Sequence, residues 1–391
     1  MRRLLPLIAL LPLLTAGPAI AQPRVKLGID VLVTKRLSLI AGKRVGLITN
    51  MSAIDGRGQS DIDVLAHTPG VHLTALFAPE HGLRENLDVE NIPDTRDPVT
   101  GVPVYSLYNK ERAPTPEQMR DFDVLLFDIQ DAGSRYYTFT TTLGLCLEAA
   151  AKAHKPFIVL DRPDPITGHA EGDTLDPKFA LFTGKYPMTS RHGMTIGEVA
   201  RYINGIEHLH ADLTVVPMEG WRRDMWYDQT GLPWRKPSPA MLSPVTALYY
   251  AGIGMFEATN VDCRSAPGHP FEWVGAKWMN GKHVAPALTA LHLPGVRFWP
   301  EEESDMSGVG LHITNRDVFQ PVHTAVSMME TIHRLYPDQF KASRLGIGNM
   351  TGSDLLWETL NGQASVSQLW ATYHKDLKTY DSQRAPYLLY R

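Results

Sequence analysis

The sequence predicts an α/β fold: a Rossmann-like, mostly parallel sheet with helices on both faces, followed by a smaller C-terminal α+β domain. The first observation is that short apolar runs recur at residues 44–49, 73–77, 124–127 and 157–160. The second is that helical patterns, such as residues 141–154, lie among these runs. Runs that are apolar at almost every position are typical of parallel strands buried on both faces. The alternation therefore indicates a sheet covered by helices on both sides.

The second half of the chain predicts the boundary between the two domains. Residues 195–206 have a helical pattern, and residues 213–216 form a further strand-like run. We place the boundary near residue 210, which gives a Rossmann-like catalytic domain at residues 22–210 and a smaller domain at residues 211–391.

A composition shift marks the start of the smaller domain. Residues 218–245 are rich in Trp, Arg and Pro, which predicts a long ordered loop between the two domains. Beyond it, residues 309–314 have the pattern of a strand and residues 322–336 that of an amphipathic helix. We expect the active-site cleft to lie between the two domains.

The first 21 residues have the order of a secretory signal peptide. Arg2 and Arg3 precede an apolar run at residues 4–14, and small residues follow. A transmembrane anchor would need about 20 apolar residues, and prolines interrupt this shorter run. We therefore expect cleavage before Gln22, a periplasmic or secreted bacterial protein, and no stable membrane insertion after cleavage.

Composition excludes several classes of protein. Of the 391 residues, 43% are hydrophobic and 20% are charged, which is typical of a globular protein and not of a disordered one. The 38 basic and 42 acidic side chains give a formal charge of -4, which argues against a nucleic-acid partner. Cys146 and Cys263 allow one disulfide, but we expect them to remain unpaired.

The sequence lacks the motifs of several enzyme classes. It contains neither the G-x-G-x-x-G nor the G-x-x-x-x-G-K-[ST] nucleotide fingerprint. It also lacks the G-x-S-x-G motif of serine hydrolases and the H-E-x-x-H motif of zinc proteases. The sequence therefore predicts a Rossmann-like fold that binds no nucleotide cofactor.

Polar residues follow each of the four apolar runs of the predicted sheet. They are Asn50, then Glu80 and His81, then Asp128, Gln130 and Asp131, then Asp161, Arg162 and Asp164. Ligands of open parallel sheets bind outside the carboxyl ends of the strands, so these clusters are predicted to converge on one cleft. Any one of them can instead cap a turn or helix. Because all four runs are followed by such polar clusters, a role in ligand binding or catalysis is favoured over capping.

Glu80 is the strongest catalytic candidate. It follows an apolar run and lies between Pro79 and His81, which predicts a position on the cleft floor. Partial burial there would favour the protonated carboxyl group, as a general acid requires. The structural alternative is a capping or ion-paired Glu80, with Arg84 or Arg135 as its partner.

Aromatic and basic side chains suggest the other half of the cleft. Arg135 precedes two tyrosines, and the loop at residues 218–245 contains Trp221 and Arg222. Flat rings beside guanidinium groups suit an anionic sugar, although the tryptophans can equally pack between the domains. A divalent metal held by Asp128, Asp131 and Asp161 is a minor alternative.

Eight sequence stretches resemble one known family in their order along the chain. They are residues 28–30, 42–50, 79–82, 104–108, 127–138, 160–165, 191–195 and 217–223. Together they resemble the exo-β-N-acetylmuramidase family of the NamZ type, and the resemblance extends from about residue 26 to the predicted helix at residues 322–336.

This resemblance implies a hydrolase that removes terminal N-acetylmuramic acid (MurNAc) from the non-reducing end of peptidoglycan fragments during cell-wall turnover and recycling. It implies a Rossmann-like domain, a smaller C-terminal domain, an active site between them, and Glu80 of the P-E-H-G motif as the catalytic residue. An arginine would meet the lactyl carboxylate of MurNAc. The positions that match the family and would line the site are Asn50, His81, Asp128, Arg135, Tyr137, Asp161, Arg162, Arg191 and His192.

One stretch departs from the family pattern. After residues 257–260 the family continues to a G-R-G-T turn and then P-F-E, whereas residues 261–272 read V-D-C-R-S-A-P-G-H-P-F-E. Either Arg264 replaces the missing arginine from one position earlier, or this part of the sugar site differs.

Glycoside cleavage usually requires a second group besides the acid. The residues offer Asp128, Asp131, Asp161 and Glu272 for it, and the substrate's own acetamido group is a further option. We take Glu80, Asp128 and His81 as catalytic candidates. Asp131, Trp221, Arg222 and Glu272 join the binding residues above, and we expect neither a cofactor nor a metal. Two rival functions are a non-catalytic periplasmic protein that binds muropeptides and a metal-dependent hydrolase acting on wall fragments.

Overall fold

A computed structural model describes residues 25–84, 93–266 and 268–391, and the expected signal peptide lies outside these residues. Its strands are β1 (Arg44–Thr49), β2 (His72–Ala78), β3 (Thr95–Arg96), β4 (Pro103–Ser106), β5 (Val124–Asp128), β6 (Phe157–Leu160), β7 (Glu171–Thr174), β8 (Thr189–Arg191), β9 (Leu213–Val216), β10 (Trp273–Ala276), β11 (Val296–Glu303) and β12 (Met306–Ile313). Its α-helices are α1 (Gly28–Lys35), α2 (Asp61–Ala66), α3 (Phe139–Lys152), α4 (Ile196–Ile206), α5 (Pro244–Ile253), α6 (Gly281–Thr289), α7 (Pro321–Leu335), α8 (Arg344–Thr351), α9 (Leu355–Leu360) and α10 (Val366–Arg384). Among these described helices, none combines the length and hydropathy needed to cross a membrane.

The main sheet has seven strands in the order β3-β4-β2-β1-β5-β6-β9. All of its strand pairs are parallel except β3 with β4. Thr49 at the end of β1 lies opposite Asp128 at the end of β5, so the loops after these strands start side by side. The predicted Rossmann-like, mostly parallel sheet is confirmed.

Helices cover both faces of this sheet because its strands are apolar on both faces. Leu47 and Leu126 point to one side, where they pack in a cluster with side chains of α1 and α2. Ile48 and Phe127, the next residues along the same strands, belong to the cluster that contains α3 and α4. This alternation follows from the two-residue repeat of a strand.

Strand β9 shows where the main sheet ends. It pairs in parallel with β6, from Phe157 opposite Leu213 to Leu160 opposite Val216. The sheet therefore includes residues 213–216, which lie after the boundary that the sequence predicts near residue 210. Without β9, the outer edge of β6 would have no hydrogen-bonding partner among the described strands.

The smaller domain is α+β, as predicted. Its antiparallel sheet has the order β10-β12-β11, and α5, α6 and α7 supply buried side chains to its core. The predicted strand at residues 309–314 and the predicted helix at residues 322–336 correspond to β12 and α7. Side chains of α3, α5 and α7 belong to one continuous core, so the two domains share a large apolar contact.

The C-terminal tail returns to the first domain. The Tyr390 hydroxyl donates a hydrogen bond to Asp161, and the Leu389 amide donates one to Glu198 at 2.7 Å. Arg223 also pairs with Glu198. The end of the chain is therefore fastened next to the first turn of α4.

Both cysteines are free and buried, which confirms that no disulfide links them. Cys146 lies in α3 and Cys263 lies in the loop that follows α5. Burial raises the pKa of each thiol. Both are therefore unreactive, apolar side chains of the core.

Candidate active site between the two domains

A buried ion pair lies at the carboxyl edge of the main sheet. Asp128 ends β5 and Arg162 follows β6, and their side chains are 0% and 2% exposed. The contact is bidentate: the Arg162 Nε and Nη2 atoms each donate to one carboxylate oxygen, the second at 2.9 Å. Arg162 also donates to the carbonyl of Ile54. The pair therefore ties together the chain segments that follow β1, β5 and β6.

A chain of hydrogen bonds joins the same three segments. Asn50 Oδ1 accepts from the amide of Ser52 at 2.9 Å, and Ser52 Oγ accepts from the amide of Gln130 at 3.1 Å. Gln130 Nε2 then donates to the carbonyl of Pro163 at 2.9 Å. Three of the four clusters predicted to converge thus meet, whereas Glu80 and His81 line a separate cavity. Asn50 is used to hold a turn.

Asp161 anchors a helix. Its carboxylate accepts hydrogen bonds from the Thr195 hydroxyl at 2.9 Å and from the amide of Gly197 at 2.7 Å, in the first turn of α4. Burial raises the pKa of Asp161 to about 7. Asp161 therefore caps a helix, which is the structural alternative that the sequence left open for it.

Asp131 and His192 form another buried pair. His192 Nε2 lies 3.0 Å from Asp131 Oδ2, which also accepts from the amide of Gly133 at 2.7 Å. His192 Nδ1 accepts from the amide of Met194 at 3.2 Å, so the proton of the ring lies on Nε2 and points at Asp131.

Two of the predicted arginines hold backbone carbonyls in the interior. Arg135 donates to the carbonyls of Asn349 and Met350 at the end of α8, and burial lowers its pKa to about 10. Arg191 donates to the carbonyl of Ile166 and to the Thr167 hydroxyl. These guanidinium groups join segments of the fold, and neither lines the cavity of Glu80.

Glu80 lies in a cavity between the two domains. After β2 the chain turns through His81 and Gly82, which have φ angles of 71° and 86°. This turn presents Glu80, whose Oε2 atom accepts a hydrogen bond of 2.5 Å from the Thr138 hydroxyl. The cavity has a volume of about 140 Å³. Its lining residues are Glu80, His81, Tyr136, Tyr137, Thr138, Thr183, Ser238, Pro239, Ala240, Met241, Tyr250, Glu257, Arg264, Phe271 and Met350.

The smaller domain contributes a second carboxylate to this cavity. Glu257 follows α5, and its side chain is 30% exposed. Burial raises the pKa of Glu257; Arg264, whose Nη1 lies 3.5 Å from Glu257 Oε1, lowers it, and the charge of Glu80 raises it. The net direction is upward. The site therefore combines two carboxylates in different environments with one guanidinium group.

Three of the predicted site residues meet in this cavity: Glu80, His81 and Tyr137. Burial raises the pKa of Tyr137 well above its usual value, so its hydroxyl stays protonated and can donate a hydrogen bond. The remaining predicted residues of the first domain are buried and do not line this cavity: Asn50, Asp128, Asp131, Arg135, Asp161, Arg162, Arg191 and His192.

Three other predicted residues lie outside the Glu80 cavity. Trp221 is buried against the ring of Tyr390, with centroids 5.0 Å apart, so the packing alternative describes it. Arg222 is exposed and pairs with Asp224 at 3.2 Å. Glu272 lines a different cavity of about 400 Å³.

The structural alternatives for Glu80 and for a metal are not supported by these contacts. Arg84 pairs with Asp97 and Asp63, and Arg135 has the carbonyl partners described above, so neither neutralises Glu80. Each of Asp128, Asp131 and Asp161 has its own partners, and the three form no shared metal-binding group within the described ranges.

Glu257 is the residue that sequence reasoning missed. It lies in a short 3-10 segment, Gly254–Ala258, after a helix, so it does not follow a strand as the other candidates do. The sequence did contain one indication of its importance: Glu257 lies close to residues 261–272, the stretch that departs from the family pattern. Arg264 of that stretch lines the cavity, which supports the interpretation that it replaces the missing arginine.

A third cavity, larger than the other two, lies elsewhere in the molecule. It has a volume of about 860 Å³ and shares no lining residue with the Glu80 cavity. Arg191, Glu171, Trp226 and Trp370 are among its lining residues. Size alone therefore does not identify the catalytic site.

Fold and site together define a two-domain α/β protein of the glycosidase type, with a pair of carboxylates in a cavity between the domains. Comparison with known families agrees with this class. The family models "Exo-beta-N-acetylmuramidase NamZ, N-terminal" and "C-terminal" match residues 45–245 and 248–390. The chain belongs to the exo-β-N-acetylmuramidase NamZ family.

Individual relatives are similar over nearly the whole chain. The peptidoglycan β-N-acetylmuramidase NamZ of Bacillus subtilis is 39% identical over 381 residues, which cover 94% of this chain and 92% of that protein. A crystal structure of a DUF1343 family protein from Bacteroides fragilis has a TM-score of 0.88 at 35% identity and covers 95% of this chain and 100% of its own. A second such protein from the same organism has a TM-score of 0.75 at 25% identity, with 94% and 99% covered.

We expect Arg162→Met to destabilise the protein by about 3–5 kcal/mol, because it leaves the carboxylate of Asp128 buried without a partner. Adding Asp128→Asn to this variant should recover part of the loss, since no charge is then buried. Urea unfolding of both variants and the wild type measures the difference. If Arg162→Met alone is as stable as the wild type, the ion pair does not hold the sheet edge together.

Proposed function

We propose that this protein is an exo-acting β-N-acetylmuramidase that hydrolyses MurNAc from the non-reducing end of peptidoglycan fragments in cell-wall turnover. The observation that carries the proposal is the meeting of Glu80 and Glu257 in one cavity between the domains. Membership of the NamZ family supports the same reaction, and the relative from B. subtilis is named for it.

The carboxylate pair suits the hydrolysis of a glycosidic bond. One carboxyl group must protonate the leaving oxygen, and a second must attack the anomeric carbon or activate water. Glu80 accepts a hydrogen bond from the Thr138 hydroxyl, which orients its carboxylate group in the cavity. Glu257 is the group whose pKa is raised.

These environments favour a division of roles between the two residues. Two carboxyl groups in different environments can take different roles, and here burial raises the pKa of Glu257. In this proposal Glu257 donates the proton to the leaving oxygen, and Glu80 attacks the anomeric carbon or activates water. This reverses the acid role that the sequence suggested for Glu80, while Glu80 remains essential.

The size and charge of the cavity support an exo mode of action on muramic acid. About 140 Å³ is well below the roughly 300–1,000 Å³ of sites for drug-sized ligands, so the cavity has room for part of one terminal sugar unit and not for a longer glycan. Arg264 is the arginine among its lining residues. A guanidinium group binds a carboxylate with two parallel hydrogen bonds, and the lactyl group of MurNAc carries such a carboxylate.

The proposed place of action is the periplasm or the cell exterior. The support is the signal-like order of residues 1–21. Peptidoglycan fragments arise in that compartment, so the proposed location agrees with the proposed substrate.

Glu80→Gln and Glu257→Gln should each lower activity, but with different dependence on the leaving group. General acid catalysis contributes about 10²–10⁴-fold, and an aryl leaving group needs little of it. We expect Glu257→Gln to be severely impaired on a MurNAc–GlcNAc disaccharide and much less impaired on para-nitrophenyl β-N-acetylmuramide. Glu80→Gln should lose about 10³-fold or more on both substrates. The measurement is kcat/KM for each pair.

Glu148→Gln is the matched control, because Glu148 is a partly exposed residue of α3 that does not line the cavity, and it should behave as the wild type. Circular dichroism confirms that each variant is folded. If Glu80→Gln is the variant rescued by the aryl substrate, Glu80 is the acid, as the sequence suggested. If the folded wild type binds these sugars without cleaving them, the protein is a non-catalytic sugar-binding protein and the proposed enzyme function is wrong.

Arg264→Met should weaken selection for muramic acid. The variant loses the proposed contact to the lactyl carboxylate, so we expect KM for the nitrophenyl muramide to rise by about tenfold or more, as for a lost charge-assisted hydrogen bond. The corresponding N-acetylglucosaminide lacks this carboxylate, and its hydrolysis should change much less. An equal effect on both substrates would argue against the contact.

A further inference from the structure

Three side chains of the smaller domain converge away from the Glu80 cavity: His269, Glu301 and Glu303. One ligand atom from each lies within 4.8 Å of the others. His269 Nε2 lies 3.4 Å from Glu301 Oε1 and 3.5 Å from Glu303 Oε1. All three side chains are largely shielded, with exposures of 35%, 21% and 19%.

The fold of this domain explains why these side chains meet. Glu301 and Glu303 are two residues apart on β11, so both point to the same face of the sheet. Glu302 lies between them, points to the opposite face and accepts a hydrogen bond from Ser307 at 2.8 Å. His269 reaches the first face from the loop that precedes β10.

A glycine makes room for one of the carboxylates. A Cβ atom at Gly310 of β12 would lie 1.9 Å from Glu301 Oε2, so any other residue there would displace this carboxylate. Glu301 Oε2 and His269 Nε2 are both buried atoms without a hydrogen-bond partner. Buried polar atoms are normally satisfied, so His269 Nε2, which faces both glutamates, indicates a missing partner at the point where the side chains meet.

The chemistry of the group fits a cation. Two carboxylates and one imidazole are hard to intermediate ligands with a combined charge of about -2 when the imidazole is neutral. Within the described ranges, neither glutamate pairs with a lysine or arginine. The separations of 3.4 and 3.5 Å also match those between donors on a tetrahedral Zn²⁺ ion, about 3.3–3.4 Å for bonds of about 2.0–2.1 Å.

We propose that His269, Glu301 and Glu303 bind a divalent transition-metal ion, Zn²⁺ in the first instance. The site goes beyond the proposed hydrolysis, because it lies outside the catalytic cavity and supplies no reacting group. Its position suggests a structural role. His269 belongs to the same loop as Arg264 and Phe271, which line the Glu80 cavity, so a bound ion would fasten this loop to β11.

The test is titration of the metal-free full chain with Zn²⁺ alone, followed by calorimetry. We expect one ion per chain for the wild type. His269→Ala, Glu301→Gln and Glu303→Gln should each weaken binding at least tenfold, since even outer-shell partners of a metal contribute 10–100-fold. Glu302→Gln is the matched control on the same strand and should bind as the wild type.

A second readout separates ligand loss from misfolding. Because an ion that binds only the folded state raises Tm, Zn²⁺ should raise the Tm of the wild type and of Glu302→Gln but not that of His269→Ala. Glu80→Gln should retain the binding, which would separate this site from the carboxylate pair. Absence of saturable binding by the wild type, or loss of binding in Glu302→Gln or Glu80→Gln equal to that in Glu301→Gln, would overturn the proposal.

Discussion

The site depends on the buried ion pair between Asp128 and Arg162. Two charges in the interior are stable only when each satisfies the other in good geometry, and the bidentate contact provides this. The pair fixes the ends of β5 and β6 relative to each other, and the contact of Arg162 with Ile54 adds the segment after β1. The segment between Asp128 and α3 starts at this fixed edge, and its residues Tyr137 and Thr138 lie beside Glu80 in the cavity.

The cavity of Glu80 and Glu257 is assembled from two domains that share one core. Glu80 stands at the edge of the main sheet, and Glu257 stands after α5 of the smaller domain. Their approach would be costly for two like charges, and burial of Glu257 favours a protonated carboxyl group that reduces the repulsion. Arg264 balances the remaining charge. The packing between the domains therefore brings together the two carboxylates on which the proposed chemistry relies.

The sequence predicted the main sheet well because its strands are apolar on both faces and short. It also predicted Glu80, because a polar residue after such a strand lies at the sheet edge. It did not separate Asn50 and Asp161, which cap a turn and a helix, from residues that meet a ligand, because both kinds of residue follow strands. It missed Glu257 because contact between domains leaves no local pattern, and it placed the boundary before β9 because strand pairing is not local either.

The most direct test of the account is a crystal structure of Glu80→Gln soaked with a MurNAc–GlcNAc disaccharide. The account predicts the MurNAc ring in the cavity between the domains, its lactyl carboxylate at Arg264, and the glycosidic oxygen within about 3 Å of the Glu257 carboxyl group, as proton transfer requires. Binding of the disaccharide in the larger cavity beside Arg191 and Trp370, with the Glu80 cavity empty, would contradict it.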